Sequence, residues 1–265
     1  LCISCVTYLF DPAGKIYDLA AKSGLQKYSA VHKNLTLVGF IKRSSIHTNV
    51  LHIYIEGDGA PWMYSWMPPK DPTPQSPIAL KMAIADSHSH VLYLARPCQL
   101  TRGEVKKGCH IKLWTTARFS PEVIDATNAI ITRYAKRTGS TKLVLYGYSG
   151  GGAIASLVTA RREDVIGLMT VAGTLDHEAW TTYHKVSPLT ESLNPAQFGN
   201  KLSRIPQIHY IGENDKTMPH LVAYSYLSNL SNNHKAQIVN IKDYDHSCCW
   251  VKNWSNLLGR YKFHN

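Results

Sequence analysis

A chain of 265 residues with 44% hydrophobic and 18% charged residues can bury one sizeable α/β core or two small ones, and this composition excludes a disordered chain. The formal charge of +11 comes from scattered basic residues, with only short clusters such as Lys106-Lys107 and Arg161-Arg162. No nucleic-acid-binding motif accompanies them, so the charge reads as solubility with a preference for anionic surfaces, and nucleic acid is not an expected partner.

The chain opens on Leu1-Cys2-Ile3-Ser4-Cys5-Val6, part of an apolar run too short to span a bilayer. There is no initiator Met, so a segment is expected upstream. Ile3-Ser4-Cys5 places a small residue before a cysteine, as at the end of a bacterial lipoprotein signal, with Cys2 where such signals carry Leu. Two states follow for the N-terminus: a lipidated Cys5 that associates with a membrane, or a plain thiol. Helical spacing over 12–22 places Ile16, Leu19 and Ala20 on one face, and Gly24 stops it. Residues 30–42 alternate apolar and polar side chains and read as one strand on a partly solvated sheet. A more buried strand over 49–55 ends in the loop Glu56-Gly57-Asp58-Gly59. Five prolines over 65–77 require a loop. A helix over 78–86 and a strand over 91–95 follow.

Ser120-Pro121-Glu122 is a strong helix start, and the apolar spacing continues to about Arg137 before Gly139. Strands are expected over 143–148, 165–172, 207–212 and 236–241. Helices are expected after Ser149, over 219–230 and over 247–261. Alternation of strand and helix implies an α/β fold with a mainly parallel sheet and helices on both faces. One domain, 1–265, is the economical reading, with 173–202 as a small cap over the carboxyl edge of the sheet.

Six cysteines are present, and no Cys-x-x-Cys pair is matched by a second pair or by spaced histidines, so neither zinc nor another cofactor is expected. Cys98 and Cys109 bracket a short loop that a disulfide can close, which would suit an oxidising compartment; two reduced, buried thiols are the alternative. Cys248 and Cys249 read as two small buried side chains, with a vicinal disulfide as the other state.

Leu143-Val144-Leu145-Tyr146-Gly147-Tyr148-Ser149-Gly150-Gly151-Gly152 is an apolar strand, a glycine-flanked serine and a helix of small residues. Gly-x-Ser-x-Gly in this setting is a nucleophile elbow, which exposes the serine hydroxyl on a sharp strand-to-helix turn. Serine needs a base to take its proton, and the base needs a carboxylate to hold its tautomer. Asp215 follows the 207–212 strand and His246 follows the 236–241 strand, in the order Ser, Asp, His. Asp176 is the alternative acid; Glu213, His220 and His234 fit less well by position. One oxyanion donor is expected from the Gly150 amide and the other from Asp58 or Gly57. Trp62, Trp66, Trp114 and Trp180 fall in loops near the expected site, where they either line a pocket or pack among themselves.

The ordered set Glu56-Gly57-Asp58-Gly59, Gly147-Tyr148-Ser149-Gly150-Gly151, Gly212-Glu213-Asn214-Asp215 and Asp245-His246 resembles the α/β-hydrolase superfamily over nearly the whole chain. The stretches 94–99 (Leu-Ala-Arg-Pro-Cys-Gln), 114–120 (Trp-Thr-Thr-Ala-Arg-Phe-Ser) and 246–250 (His-Ser-Cys-Cys-Trp) look like a bacterial envelope or lipoprotein-type branch. The resemblance implies an acyl-enzyme mechanism with Ser149 as nucleophile, His246 as base and Asp215 as its orienter. It implies a small-molecule or lipid ester as substrate and a periplasmic, outer-membrane-anchored or secreted monomer. In place of the usual His-Gly before the oxyanion residue stands Glu56-Gly57, which leaves the electrostatics of the hole, and so the preferred substrate, open. A peptidase or acyltransferase would use the same residues, and a non-catalytic binding protein of the same fold is the competing class.

Overall fold

The computed structural model describes residues 11–42, 48–59, 67–101, 108–261 and 263. The N-terminal run with Cys2 and Cys5, together with Trp62 and Trp66, lies outside the described residues. Eight strands form one sheet: β1 (Gln26–His32), β2 (Leu35–Lys42), β3 (Val50–Ile55), β4 (Val91–Leu94), β5 (Lys142–Tyr148), β6 (Val165–Val171), β7 (Gln207–Gly212) and β8 (Ala236–Ile241). Their spatial order is β1-β2-β4-β3-β5-β6-β7-β8. β2 is antiparallel to β1 and to β4, and every pairing from β4 through β8 is parallel.

The expected single strand over 30–42 is instead a hairpin. His32 pairs with Leu35 across a turn at Lys33-Asn34, and Lys33 has φ +52°. Because His32 faces Leu35, the two-residue turn shifts the alternation by one position, so Tyr28 and Ala30 share a face with Gly39 and Leu37, and neither glycine nor proline marks the turn.

Helices cover both faces. They are α1 (Pro12–Lys22), α2 (Ile78–Ala85), α3 (Pro121–Thr138), α4 (Gly150–Thr159), α5 (His177–His184), α6 (Gly199–Leu202), α7 (His220–Ser228) and α8 (Trp254–Gly259). The caps read in the sequence are in place. Ser120 Oγ accepts from Val123 N at 3.4 Å, and Gly139 closes α3 with φ +68°. Alternate side chains of β3 feed opposite layers. Leu51, Ile53 and Ile55 pack in the layer that holds Ile130 of α3 and Ile154 of α4. Tyr54 packs with Leu80 of α2 and Trp254 of α8. Each such buried side chain contributes on the order of 2 kcal/mol, so the central strands form a rigid base for the loops at their carboxyl ends.

Two expectations near the C-terminus are corrected. The last helix is confined to Trp254–Gly259, and 247–253 are turns. Asp245 Oδ1 accepts from Ser247 N at 2.8 Å and Cys248 N at 2.6 Å, and Cys249 has φ +82°, which no helix accommodates. Cys248 and Cys249 are joined as a vicinal disulfide with Cys248 exposed, rather than two buried thiols. The Cys98–Cys109 disulfide is present, as expected. Among the described residues no helix is long and apolar enough to cross a membrane.

Candidate active site

The loops after β3, β5, β7 and β8 converge at the carboxyl edge of the parallel strands, where open α/β sheets hold their ligands. Ser149 sits between β5 and α4 with φ +51° and ψ −123°. Such a conformation costs a non-glycine residue about 1–3 kcal/mol and persists only where its surroundings enforce it. Here they do. Ser149 N donates to Val171 O at 3.0 Å, and its carbonyl accepts from Gly152 N at 2.9 Å and Thr174 N at 3.0 Å. At Gly147 any Cβ would collide with the backbone of Gly151 and Gly152, so only glycine permits the strand and helix to close this tightly.

His246 Nε2 is 3.1 Å from Ser149 Oγ, and His246 Nδ1 is 2.9 Å from Asp215 Oδ2. The second Asp215 oxygen accepts from Thr217 N at 2.9 Å and Met218 N at 2.7 Å, and the carboxylate is fully buried. His246 is held from behind by its own carbonyl, which accepts from Tyr148 Oη at 3.0 Å and Trp250 Nε1 at 3.1 Å. Burial, reinforced by the Glu56, Asp215 and Asp245 charges, raises the Tyr148 phenol well above its ordinary range, so it remains a donor.

The alternative acid is elsewhere. Asp176 caps α5, accepting from the amides of Glu178 and Ala179, from Asn194 Nδ2 at 2.8 Å and from Ser225 Oγ at 2.6 Å. Burial alone would raise this carboxyl, but those hydrogen bonds outweigh it and hold the group below the usual carboxylate range.

The loop after β3 separates the two candidate amides. Gly57 N donates to Glu56 Oε1 at 3.0 Å. Among the described residues the Asp58 and Gly150 amides have no protein acceptor. The Glu56 carboxylate turns inward to cap α2, accepting from Ala79 N at 3.2 Å, Leu80 N at 3.4 Å and Tyr93 Oη at 3.1 Å. Burial raises its pKa despite these four donors.

A cavity of about 530 Å³ opens over Ser149, walled by Phe119, Tyr148, Trp180, Leu189 and Met218. Trp180 and Leu189 come from the 173–202 stretch. Trp114 does not reach this cavity. It lines a separate depression beside Cys98–Cys109 and donates from Nε1 to Pro69 O at 3.2 Å. Sequence reasoning missed Tyr148, Arg96 and Arg118 as neighbours of the site, although both arginines lie in stretches singled out above.

A scan against protein-family models and a search of curated proteins returned no match. Solved structures do match. An esterase from Pyrococcus furiosus superposes with a TM-score of 0.63 at 12% identity, covering 91% of this chain and 92% of its own. A membrane phospholipase A described as a bacterial virulence factor gives 0.59 at 15% identity over 97% and 93%. An alpha-beta serine hydrolase homologue from Coxiella burnetii gives 0.57 at 12% over 89% and 94%. At such identities the likeness is one of fold, and the fold of this chain is that of the α/β-hydrolases.

Proposed function

We propose that the protein is a serine hydrolase acting on carboxylic esters through an acyl-enzyme. The observation that carries this reading is the unbroken run of hydrogen bonds from Ser149 Oγ through His246 to Asp215, at 3.1 and 2.9 Å. With Nδ1–H donating to the carboxylate, Nε2 is left to accept the serine proton. Ser149 Oγ attacks the ester carbonyl carbon while its proton passes to Nε2. The carbonyl oxygen becomes an oxyanion that the Gly150 and Asp58 amides stabilise. The imidazolium returns the proton to the departing alcohol. Water then gives a proton to His246 as it attacks the acyl carbon, and the new tetrahedral intermediate collapses: the bond to Ser149 Oγ breaks, the imidazolium returns the proton to that oxygen, and the carboxylic acid leaves.

The apolar walls of the cavity support an acyl chain as the group received, and the names of the similar structures support a small or lipid ester as substrate. The Cys98–Cys109 bond supports an oxidising location, in the periplasm or outside the cell, with anchoring at Cys5 as the corresponding N-terminal state. Recovery of the protein solely from a reducing cytosol would count against that location. The activity is tested with a fluorophosphonate probe and nitrophenyl esters of short and long acyl chains. Wild type is expected to label and turn over, and Ser149→Ala to do neither. A wild-type protein that does not label and hydrolyses none of the esters overturns the reading.

A further inference from the structure

Apart from Phe119, which walls the cavity, the stretches 94–99 and 114–120 supply no group to the chemistry above, yet each places an arginine on one carboxylate. Arg96, which follows β4, donates from Nη1 to Asp58 Oδ1 at 2.6 Å. Arg118, which precedes α3, donates from Nη1 to Asp58 Oδ2 at 2.8 Å. The guanidinium groups are themselves fixed. Arg96 Nη2 donates to the Arg118 carbonyl, and Arg118 Nε donates to Thr115 O at 2.6 Å. Gln99 ties the same turn to the loop after β3. Its Oε1 accepts from Arg96 N at 3.0 Å, and its Nε2 donates to Gly57 O at 3.1 Å. Both arginine side chains are buried, at 4% and 7% exposure. Burial by itself would raise the Asp58 carboxyl, but the charges of Arg118 and Arg96 prevail and hold it below its ordinary range.

The clamped carboxylate lies on Gly150: a Cβ there would overlap Asp58 Oδ1. Asp58 and Gly150 are thus packed together, and each carries an amide with no protein acceptor among the described residues. Gly57 cannot substitute, because its amide is taken by Glu56 Oε1. An oxyanion donor acts only if it is already aimed when charge develops, and displacement by 1 Å can cost about a hundredfold in rate. A loop with glycine on both sides of Asp58 does not supply that rigidity by itself.

We propose that Arg96 and Arg118 are positioning residues for the oxyanion loop: by bridging the Asp58 carboxylate over Gly150, they keep the Asp58 amide directed at the oxygen of the tetrahedral intermediate. This rests on the serine-hydrolase reading above. A clamp that served stability alone would move the melting temperature and leave turnover of the folded enzyme unchanged, so the test separates the two.

Asp58→Asn keeps the side-chain shape and removes the ion pairs; Arg118→Met removes one arm; Arg118→Lys restores a charge without the fork. Each is assayed at a temperature well below its own melting transition, for kcat and KM on a nitrophenyl butyrate and for inhibition by a trifluoromethyl ketone, whose hydroxyl adduct places an oxyanion in the same position. For Asp58→Asn and Arg118→Met, kcat is expected to fall about 10- to 100-fold with KM within about threefold, and ketone affinity to fall in parallel. Arg118→Lys is expected to recover part of both. If Arg118→Met does not fold, Asp58→Asn decides alone. An active wild type alongside a folded Asp58→Asn or Arg118→Met that retains kcat and ketone affinity within twofold overturns the clamp and leaves the hydrolase reading standing. A wild type that neither labels with fluorophosphonate nor turns over overturns both.

Discussion

Replacing Asp215 by Asn tests the hydrogen-bond run with almost no change of shape. The Asn carbonyl can keep the two donors that Asp215 Oδ1 now holds, Thr217 N at 2.9 Å and Met218 N at 2.7 Å, because both come from the following turn. The amide nitrogen then faces His246 Nδ1 at the position of Oδ2, 2.9 Å away. Two donors cannot share that contact, so His246 changes tautomer and carries its proton on Nε2. The ring then has no lone pair for the Ser149 hydroxyl 3.1 Å away. Loss of the base and of the charge that stabilises the imidazolium is worth about 10⁴ in kcat, or about 5 kcal/mol of transition-state free energy. Stability should change by less than about 1 kcal/mol, since no backbone donor loses its partner. The assay is steady-state hydrolysis of a nitrophenyl ester with urea unfolding measured in parallel. A folded Asp215→Asn enzyme with kcat within tenfold of wild type refutes the assignment of acid and tautomer together.

Two further predictions concern groups away from the chemistry. Asp176→Asn keeps the oxygen that caps α5 but replaces the charged oxygen that accepts from Ser225 Oγ, and should cost about 1 kcal/mol without lowering kcat. Because the folded Asp176 carboxyl lies below its ordinary value near 3.9, its contribution is complete above that value and is lost as pH falls through the folded one. The stability gap between wild type and Asp176→Asn, measured by urea unfolding, should therefore be constant near neutrality and shrink below about pH 4; a gap that widens toward acid contradicts the sign. Cys98→Ser with Cys109→Ser opens a loop closed over a separation of 11 residues and should lower unfolding free energy by about 2–3 kcal/mol in the oxidised protein. Reductant should produce a similar loss in wild type and a much smaller one in the double variant, whose Cys248–Cys249 bond joins adjacent residues and closes no loop of chain.

Local chemistry made much of this site legible. The elbow is visible because its parts are contiguous: an apolar strand, glycines where backbones must meet, and small residues opening α4. The positions of Asp215 and His246 follow from the strands before them, and the structure brings both within hydrogen-bond reach of one another and of Ser149. The hairpin at Lys33-Asn34 was not legible, because its turn carries neither glycine nor proline, and β2 is buried almost throughout, which hides the one-position shift of the alternation. The short α8 was not legible either. The 247–253 stretch carries no glycine or proline to mark a stop, and side-chain bonds from Asp245 and Trp250 divert it into turns.

The α/β architecture and the chain order of serine, acid and histidine are written locally, because hydrophobic period, caps and turn residues act over a few neighbouring positions. Which amide of the Glu56-Gly57-Asp58 loop lacks an acceptor among the described residues is set by contacts between distant segments. Glu56 folds back to cap α2 and takes the Gly57 amide, and Arg96 and Arg118 reach the Asp58 carboxylate from 38 and 60 positions away. Tertiary structure also separates Asp215 from Asp176, two carboxylates that follow neighbouring strands. One faces the histidine and the other faces the first turn of α5. A carboxylate's role is set by the donors that surround it in space, and those donors come from segments that no local pattern connects.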